Sequence, residues 1–262
     1  MPKESSPDQL RLRVFAGPNG SGKSTIVESI RNTVTNGKKI DFGIYINADD
    51  IAAGLLKNKF SFYSYKISPG KKDILSFAKN SGLLTASFNE QVLNKGFRLS
   101  GVRFILINTV YYQEIAQLLA RYLRECMLRD RRRFTFETVF SHHSNLDIMQ
   151  RAAQAGYKVY LYFVSTESPE INKFRVKFRI SQNGHAVPEN KIESRYYRSL
   201  ELLYDAAEIA YQCFFFDNSV DQEPFKLVNH FKKIGTTKIW DTKNRRQFTA
   251  WFKKYYWDKS NN

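Results

Sequence analysis

A glycine-punctuated loop near the start of the sequence ends in lysine and serine, Gly17-Pro-Asn-Gly-Ser-Gly22-Lys23-Ser24. Its spacing fits G-x-x-x-x-G-K-[ST], the phosphate-binding P-loop, in which glycines allow backbone N–H groups to turn inward around phosphates. The lysine of such a loop reaches the outer phosphates, and the hydroxyl that follows it can ligate Mg²⁺. Lys23 and Ser24 are the candidates for these two tasks, and the helix predicted behind them adds the positive end of its dipole.

Two acidic residues follow the second predicted strand, in the run Ile46-Asn47-Ala48-Asp49-Asp50. In parallel α/β sheets the carboxyl ends of the strands line the ligand crevice. An acid at that place can orient or deprotonate a hydroxyl that accepts a phosphoryl group. Asp49 or Asp50 also suits the N-cap of a helix over Ile51–Leu56, and the residue types leave both roles open.

A third acid, Glu137, lies in Phe136-Glu137-Thr138 at the end of another predicted strand. A carboxylate in this position can hold Mg²⁺ through water or bind the hydroxyls of a substrate. A glutamate that simply faces solvent at a strand end would give the same pattern, so the roles remain open here.

Four arginines lie on two consecutive predicted helices. Arg175 and Arg179 are four residues apart, and Arg195 and Arg198 are three apart on the next helix. Guanidinium groups bind phosphate bidentately and stabilise charge during its transfer. Helices that flank the hinge Asn183-Gly184-His185 would let the four arginines close over a triphosphate, although solvated helical arginines show the same spacing.

The elements that must position these residues alternate between strands and helices. The predicted strands are Leu10–Ala16, Ile40–Ile46, Phe134–Phe140, Tyr157–Val164 and Cys213–Phe216. The predicted helices are Lys23–Arg31, Tyr111–Asp130, one with a Ser144/Asp147 capping box that stops at Gly156, one opened by Ser168-Pro169, and Pro188–Ala210. This alternation predicts an α/β fold of the P-loop NTPase or kinase type, with a parallel sheet flanked by helices.

Two segments depart from the alternation. Lys57–Asn108 contains Ser68-Pro69-Gly70 and no sustained period, which indicates an inserted segment or lid. Phe225–Trp257 is rich in basic and aromatic residues, and we expect short strands and a final helix there. The predicted organisation is a kinase domain over 1–224 that contains the insertion 57–108, with a C-terminal extension over 225–262 packed on it.

Composition and charge narrow the classes of protein. The 262 residues are 42% hydrophobic, enough for a sizeable core, and carry 41 Lys and Arg against 25 Asp and Glu, a formal net charge of +16. Such a surplus suits an anionic partner, either nucleic acid or a phosphorylated small molecule, as well as a merely solvated surface.

The sequence gives little indication of a membrane segment, a disulfide framework or a cysteine metal site. The longest apolar stretch in the well-patterned part, Val159–Val164, is far short of a membrane span, and Met1–Gln9 has no apolar signal region. Cys126 and Cys213 lack the spacing of a metal site or a disulfide framework. We expect a cytoplasmic protein without a membrane partner.

The motifs together resemble the zeta-toxin family of P-loop small-molecule kinases, over residues 10–56 and about 111–220. The segments that carry the resemblance are AGPNGSGKST (Ala16–Thr25), INADDIA (Ile46–Ala52), FETVFSH (Phe136–His142), GYKVYLYFVSTESPEINKFRVKFR (Gly156–Arg179), NGHAVPENKIESRYYRSLELL (Asn183–Leu203) and FDNS (Phe216–Ser219).

The resemblance implies phosphorylation of a sugar hydroxyl by ATP and Mg²⁺, with UDP-N-acetylglucosamine as the best-known acceptor. Asp49 would be the base, and Asn47, Glu137 and Thr138 would contact the acceptor. ATP would be bound by Gly17, Pro18, Asn19, Gly20, Ser21, Gly22, Lys23, Ser24, Thr25, Arg195 and Arg198. Arg175 or Arg179 would neutralise the transferring phosphoryl group, and a small antitoxin that blocks the nucleotide site is the implied protein partner.

The acceptor is the least determined part of this prediction, because the insertion 57–108 follows Asp49 and has no clear counterpart in shorter relatives. Asn183-Gly184 also replaces two glycines that are frequent in the family. One alternative is a kinase of another metabolite, a nucleoside or a nucleic-acid end. The other is an NTP-switched nucleic-acid-binding protein, suggested by Lys232, Lys233, Arg245, Arg246, Lys253 and Lys254 among C-terminal aromatics. Without a recognisable nucleic-acid motif, nucleic acid is the less favoured partner.

Overall fold

The computed structural model of the chain describes residues 9–35, 37–181, 188–241 and 248–260. These residues divide into two compact units. The first comprises the described residues up to Gly43 and those from Thr135 onward, and the second is Ile44–Phe134. The predicted hinge at 183–185 and the basic residues Arg245 and Arg246 lie outside the described ranges.

Strands and helices alternate along most of the chain. The first elements are β1 (Arg11–Ala16), α1 (Lys23–Asn32), β2 (Val34–Thr35) and β3 (Lys38–Lys39). The second unit contains β4 (Ile44–Ile46), α2 (Ala48–Leu56), a 3₁₀ helix (Phe62–Tyr65), α3 (Lys71–Asn80), α4 (Glu90–Gly96), β5 (Phe97–Ser100), β6 (Arg103–Leu106) and α5 (Tyr112–Arg129). The chain continues with β7 (Phe134–Thr138), α6 (Ser144–Gln154), β8 (Lys158–Ser165), α7 (Pro169–Ser181), α8 (Glu189–Glu201), α9 (Leu203–Ile209), β9 (Gln212–Asp217), β10 (Lys226–Ile234) and β11 (Thr237–Trp240). It ends in a C-terminal helical segment made of α10 (Ala250–Phe252), the π-helical Lys253–Trp257 and α11 (Asp258–Ser260).

The main sheet of the first unit places β1 between β7 and β8, in the order β11, β10, β9, β8, β1, β7. β8 pairs in parallel with β1 and with β9, so that Tyr160 lies opposite both Arg13 and Gln212. β10 runs antiparallel to β9, and β11 antiparallel to β10. This mostly parallel sheet flanked by helices confirms the predicted α/β class.

Successive side chains along each strand point to opposite faces of this sheet, and each face has its own core. On one face Val14, Leu161, Phe163 and Phe215 are fully buried. The C-terminal helical segment covers this face, since Trp251 lies 6.0 Å from Phe163 and Tyr256 lies 4.7 Å from Phe215, ring centre to ring centre.

The other face carries a row of stacked rings across four strands. Tyr162 stacks on Phe15 at 4.5 Å and on Phe214 at 4.9 Å, and Phe214 stacks on His230 at 4.1 Å. Phe42 extends the row beyond Phe15 at 5.6 Å. Cross-strand aromatic pairs of this kind stabilise neighbouring strands, and here they form the core on the second face of the sheet.

The second unit has its own core. The segment predicted to be an insertion without sustained period contains two helices and the antiparallel hairpin β5–β6. Phe97 and Phe104 of that hairpin stack at 4.4 Å, and Phe60 and Phe62 pack against Phe104. The strands of the hairpin have only four residues each, too few to show a period in the sequence, which is why the hairpin was not predicted.

Three local predictions are wrong. The strand expected over Ile40–Ile46 forms only at Ile44–Ile46, after a positive φ of 60° at Gly43. A break at Leu202 divides the helix predicted over Pro188–Ala210 into α8 and α9.

The third is the Ser144/Asp147 capping box. The N-cap of α6 is His143, and the Asp147 carboxylate instead accepts a hydrogen bond from Arg151 Nε at 2.9 Å. The Ser144 amide is satisfied by His142 Nδ1 at 3.2 Å, so the first turn of α6 is capped from outside the helix.

No helix in the described part of the chain is long and apolar enough to cross a membrane. Cys126 and Cys213 are both buried and form no disulfide.

Candidate functional site

The P-loop connects the buried strand β1 to α1, and its shape depends on glycine at two close approaches. Gly20 and Gly22 have positive φ angles of 77° and 90°. A Cβ at Gly20 would lie 2.7 Å from the carbonyl oxygen of Asn172, and one at Gly22 would lie 2.2 Å from Asn218 Nδ2. Larger residues would therefore push the loop away from the two asparagines that support it.

These asparagines hold the backbone of the loop. Asn172 Nδ2, from α7, donates to the carbonyl oxygen of Asn19 at 2.6 Å. Asn218 Nδ2, just after β9, donates to the carbonyl oxygen of Ser21 at 2.9 Å. Thr166 Oγ1 donates to Asn172 Oδ1, which fixes the orientation of that amide. Sequence reasoning missed both residues, although Asn218 belongs to the FDNS segment that carried part of the resemblance.

Two donor groups inside the loop are placed to bind an anion. The Ser21 hydroxyl is buried and has no hydrogen-bond partner among the described residues, whereas Asn19 Oδ1, also buried without such a partner, can only accept. Lys23 is buried, and its Nζ donates to the carbonyl oxygen of Pro18 at 3.0 Å, so its charge is directed into the loop. No side chain caps α1 at Gly22. A phosphate bound here would accept from the Ser21 hydroxyl, the Lys23 ammonium and the amides of the first turn.

A hydroxyl and a carboxylate meet at the start of α1. Ser24 Oγ donates to Glu137 Oε1 at 3.2 Å, because β7, which carries Glu137 as its penultimate residue, lies next to β1 in the sheet. The hydroxyl and the carboxylate are both hard oxygen ligands of the kind that Mg²⁺ prefers. The described residues contain no group of three or more His, Cys, Asp or Glu that could hold a metal ion. The hydroxyl and carboxylate of Ser24 and Glu137 fit Mg²⁺, which commonly binds through one or two protein oxygens, water and phosphate.

Thr138, the neighbour of Glu137, is engaged in its own turn. Its Oγ1 donates to Asn145 Oδ1 at 3.3 Å and accepts from the amide of Phe140 at 3.2 Å. Phe140 has a positive φ of 60°, so the hydroxyl stabilises a turn that bulky residues rarely adopt.

Arg175 is connected to the P-loop through one residue. Its Nη1 donates to the carbonyl oxygen of Asn218 at 2.6 Å, and Asn218 in turn supports Ser21. Arg175 Nε donates to Asp221 Oδ1 at 2.8 Å, and Nη2 contacts the same oxygen. The guanidinium is thus held beside the phosphate loop by the segment that follows β9.

The other three arginines are placed differently. Arg179 and Arg198 are exposed, and Arg198 Nε donates to the carbonyl oxygen of Ser194 on its own helix at 3.2 Å. Arg195 is half-buried, and burial, followed by the charge of Arg198, lowers the pKa of its guanidinium.

The α7–α8 pair that carries the four arginines is joined by ion pairs. Lys173 Nζ lies 2.5 Å from Glu193 Oε2, and Lys177 Nζ lies 2.6 Å from Glu189 Oε1.

In the second unit, Asn47 caps the helix that carries the candidate base. Its Oδ1 accepts from the amide of Asp49 at 2.8 Å, and its Nδ2 donates to the Tyr45 hydroxyl at 3.3 Å. The alternative in which Asp49 or Asp50 is the N-cap is therefore wrong. Both carboxylates are exposed in the first turn of α2, near the positive end of the helix dipole.

Comparison with known proteins supports the fold at low sequence identity. No protein-family model matches the chain. An uncharacterised protein of Haemophilus influenzae (strain Rd) is 32% identical over 63 residues, which are 24% of this chain and 45% of that protein.

Solved structures match over more of the chain. The AvrRxo1-ORF1:-ORF2 crystal structure with ATP is similar at a TM-score of 0.53 and 15% identity, covering 89% of this chain and 61% of that one. The structure of the same complex with sulphate ions matches equally well at 14% identity. A structure from the PezAT chromosomal toxin-antitoxin system of Streptococcus pneumoniae has a TM-score of 0.45 and 14% identity, covering 82% of this chain and 70% of that chain.

This chain spans less than two thirds of the length of the H. influenzae protein and of the AvrRxo1 chain. The AvrRxo1 match shows a P-loop kinase-like fold, which confirms at the level of architecture the resemblance predicted from the sequence.

Proposed function

We propose that the protein is an ATP-dependent kinase that transfers the γ-phosphoryl group of ATP to a hydroxyl of a small acceptor, of the nucleotide-sugar class that includes UDP-N-acetylglucosamine. The observation that carries the proposal is the P-loop with its neighbours: a buried Ser21 hydroxyl with no hydrogen-bond partner among the described residues, a lysine directed into the loop, and a hydrogen bond between Ser24 and Glu137. This combination is better suited to binding a nucleoside triphosphate with Mg²⁺ than to a purely structural turn.

The phosphates and the metal have assigned residues in this proposal. Lys23 and the amides behind Gly22 would bind the outer phosphates, and Ser24 with Glu137 would hold Mg²⁺. When bound, Mg²⁺ would neutralise charge on the phosphate oxygens. Asn172 and Asn218 would keep the loop in its binding shape, since both contact its carbonyl groups rather than the ligand. Glu137 thereby has a role at the metal in addition to the acceptor contact implied by the resemblance.

The remaining residues would stabilise the charge of the phosphoryl group and accept the proton of the acceptor hydroxyl. Arg175 or Arg179, with Arg195 and Arg198, would stabilise the transferring phosphoryl group. Asp49 would accept the proton of the attacking hydroxyl, and Asn47 and Thr138 would contact the acceptor besides their structural hydrogen bonds. We also propose that the segment 57–108 selects the acceptor. An antitoxin-like partner stays a prediction, for which the two-component AvrRxo1 complex is the structural precedent.

Mass spectrometry of reactions with ATP·Mg²⁺ tests the proposal, first with UDP-N-acetylglucosamine and then with a metabolite mixture. We expect a product heavier by one phosphoryl group, lost in Lys23→Ala. Asp49→Asn should slow transfer by about 10² to 10⁴, the usual contribution of a general base. Asp50→Asn is the matched control, because it removes the adjacent exposed acid of the same helix turn. No phosphorylated product from any acceptor, or equal rates for the two aspartate variants, would contradict the assignment.

A further inference from the structure

One face of the first-unit sheet carries cations and aromatic rings at the amino ends of its parallel strands. Arg11, the first residue of β1, lies opposite Lys158, the first residue of β8. One pleat further along, Arg13 lies opposite Tyr160, Tyr160 opposite Gln212, and Gln212 opposite Lys232. The residues of this basic-aromatic face are Arg11, Arg13, Lys158, Tyr160, Tyr211 and Lys232.

Rings and charges alternate across the face at stacking distances. The Arg13 guanidinium lies 4.5 Å from the centre of the Tyr160 ring, and Tyr160 and Tyr211 meet edge to face at 5.7 Å. Lys158 Nζ and Lys232 Nζ lie 4.9 Å and 5.9 Å from the centre of the Tyr211 ring. Two lysines from different strands therefore lie close to the Tyr211 ring.

One cation of the face is held in place by hydrogen bonds, and its other side chains are accessible to solvent. Arg13 is buried and donates to the Tyr162 hydroxyl at 3.0 Å and to the Asp41 carbonyl oxygen at 3.1 Å. The two tyrosines and the two lysines are only half-buried, so rings and ammonium groups reach solvent.

No acidic residue occupies the paired positions of these two rows. The acid on the adjoining row, Asp241, is engaged by His230 Nδ1 at 2.6 Å. The paired positions therefore carry four cationic residues and no acid, and Asp41 lies beside the face, where its carbonyl oxygen accepts from Arg13 Nε.

We propose that the basic-aromatic face binds single-stranded nucleic acid. Exposed bases stack on aromatic rings, and lysines beside the rings neutralise the phosphates that connect the bases. A flat sheet with aromatic residues is a platform that single-strand-binding proteins use repeatedly. The face spans four neighbouring strands, about 14 Å at ordinary strand spacing, which suits an extended strand of a few nucleotides better than one small molecule.

The face is separate from the P-loop site. The P-loop follows the carboxyl end of β1. Arg11 and Lys158 are the first residues of β1 and β8, so they lie at the amino ends of these parallel strands, on the side of the sheet away from the P-loop. The sequence shows no nucleic-acid motif, because the rings and cations come from β1, β8, β10 and the residue just before β9 and meet only in the folded sheet. Part of the net charge of +16 that the kinase site does not use is thereby assigned to a ligand.

Fluorescence anisotropy with labelled 12-nucleotide single-stranded RNA and DNA, without ATP, tests the proposal over 50–300 mM salt. We expect the affinity to fall with salt, and the double variant Lys158→Ala/Lys232→Ala to bind about tenfold more weakly. Loss of two phosphate contacts should reduce the slope of log K against log salt by about 1.4. Lys57→Ala/Lys59→Ala is the matched control, since it removes two exposed lysines elsewhere.

The aromatic part is tested at one position. Tyr211→Leu should weaken binding about tenfold and Tyr211→Phe should retain it, because only the ring is needed for stacking. Lys23→Ala should bind the oligonucleotides normally, so this test is separate from that of the kinase. Equal affinities of the two double-lysine variants, no binding at 50 mM salt, equal competition by a duplex, or burial of this face in a dimer seen by sedimentation would each overturn the proposal.

Discussion

Arg175 shows how a single residue can have two competing tasks. As the structure stands, its guanidinium is satisfied by the Asp221 carboxylate and the Asn218 carbonyl oxygen. A phosphate that approached the Nε and Nη2 donors of Arg175 would compete with Asp221, whose carboxylate engages both donors here. The Asp221 side chain is 58% exposed, so the pair is a partly solvated one and is worth little.

Removing that competitor should favour the nucleotide. We expect Asp221→Asn to lower the KM for ATP by up to about fivefold, the equivalent of a surface ion pair, whereas Arg175→Ala should lose transfer. Steady-state kinetics with varied ATP measure both. Glu223→Gln is the control, because it removes a nearby exposed acid of the same loop. A higher KM in Asp221→Asn would mean that Asp221 positions Arg175 for catalysis instead of competing for it.

At the scale of elements, helix ends decide which polar groups remain available. α2 begins with Asn47 as its cap, and Asp49 and Asp50 follow in its first turn. The local code of caps does not distinguish Asn47 from Asp49, since both are strong N-cap residues. The observed choice places both acids within the first turn, next to the positive end of the helix dipole.

The cap can be tested apart from the chemistry. Asn47→Ala should lower the free energy of unfolding by about 1 kcal/mol, because the amide of Asp49 loses its acceptor. Asn47→Asp should keep most of that stability, since aspartate caps equally well. Urea denaturation followed by circular dichroism measures both variants. Wild-type stability of Asn47→Ala would show that the cap contributes nothing.

At the scale of the whole molecule, each compact unit contains one cysteine. Cys126 lies in α5 of the second unit, and Cys213 lies in β9 of the first. Burial raises the pKa of both thiols, most strongly that of Cys213. A raised pKa leaves less thiolate at a given pH, and the thiolate is the reactive form.

Thiol labelling therefore reports the opening of each unit. At pH 8 we expect Ellman's reagent to react slowly with the native protein and with two thiols per chain after denaturation. In Cys126→Ala the remaining signal comes from the first unit alone, and in Cys213→Ala from the second. Rapid labelling of the native protein would contradict the burial of these residues.

The sequence by itself determined what depends on near neighbours. The P-loop, the alternation of strands and helices, and the net charge of +16 are properties of short segments or of composition. Spacing over one turn or one pleat is enough to recognise them, because backbone geometry repeats at that scale.

Only the tertiary structure decided which distant residues meet. Asn172 and Asn218 support a loop that lies 153 and 197 residues away in sequence. The rings and lysines of the basic-aromatic face come from β8, β10 and the residue just before β9, and Glu137 reaches Ser24 only because β7 lies next to β1. Such contacts follow from strand order and register, which the packing of the whole chain selects and which no local spacing records.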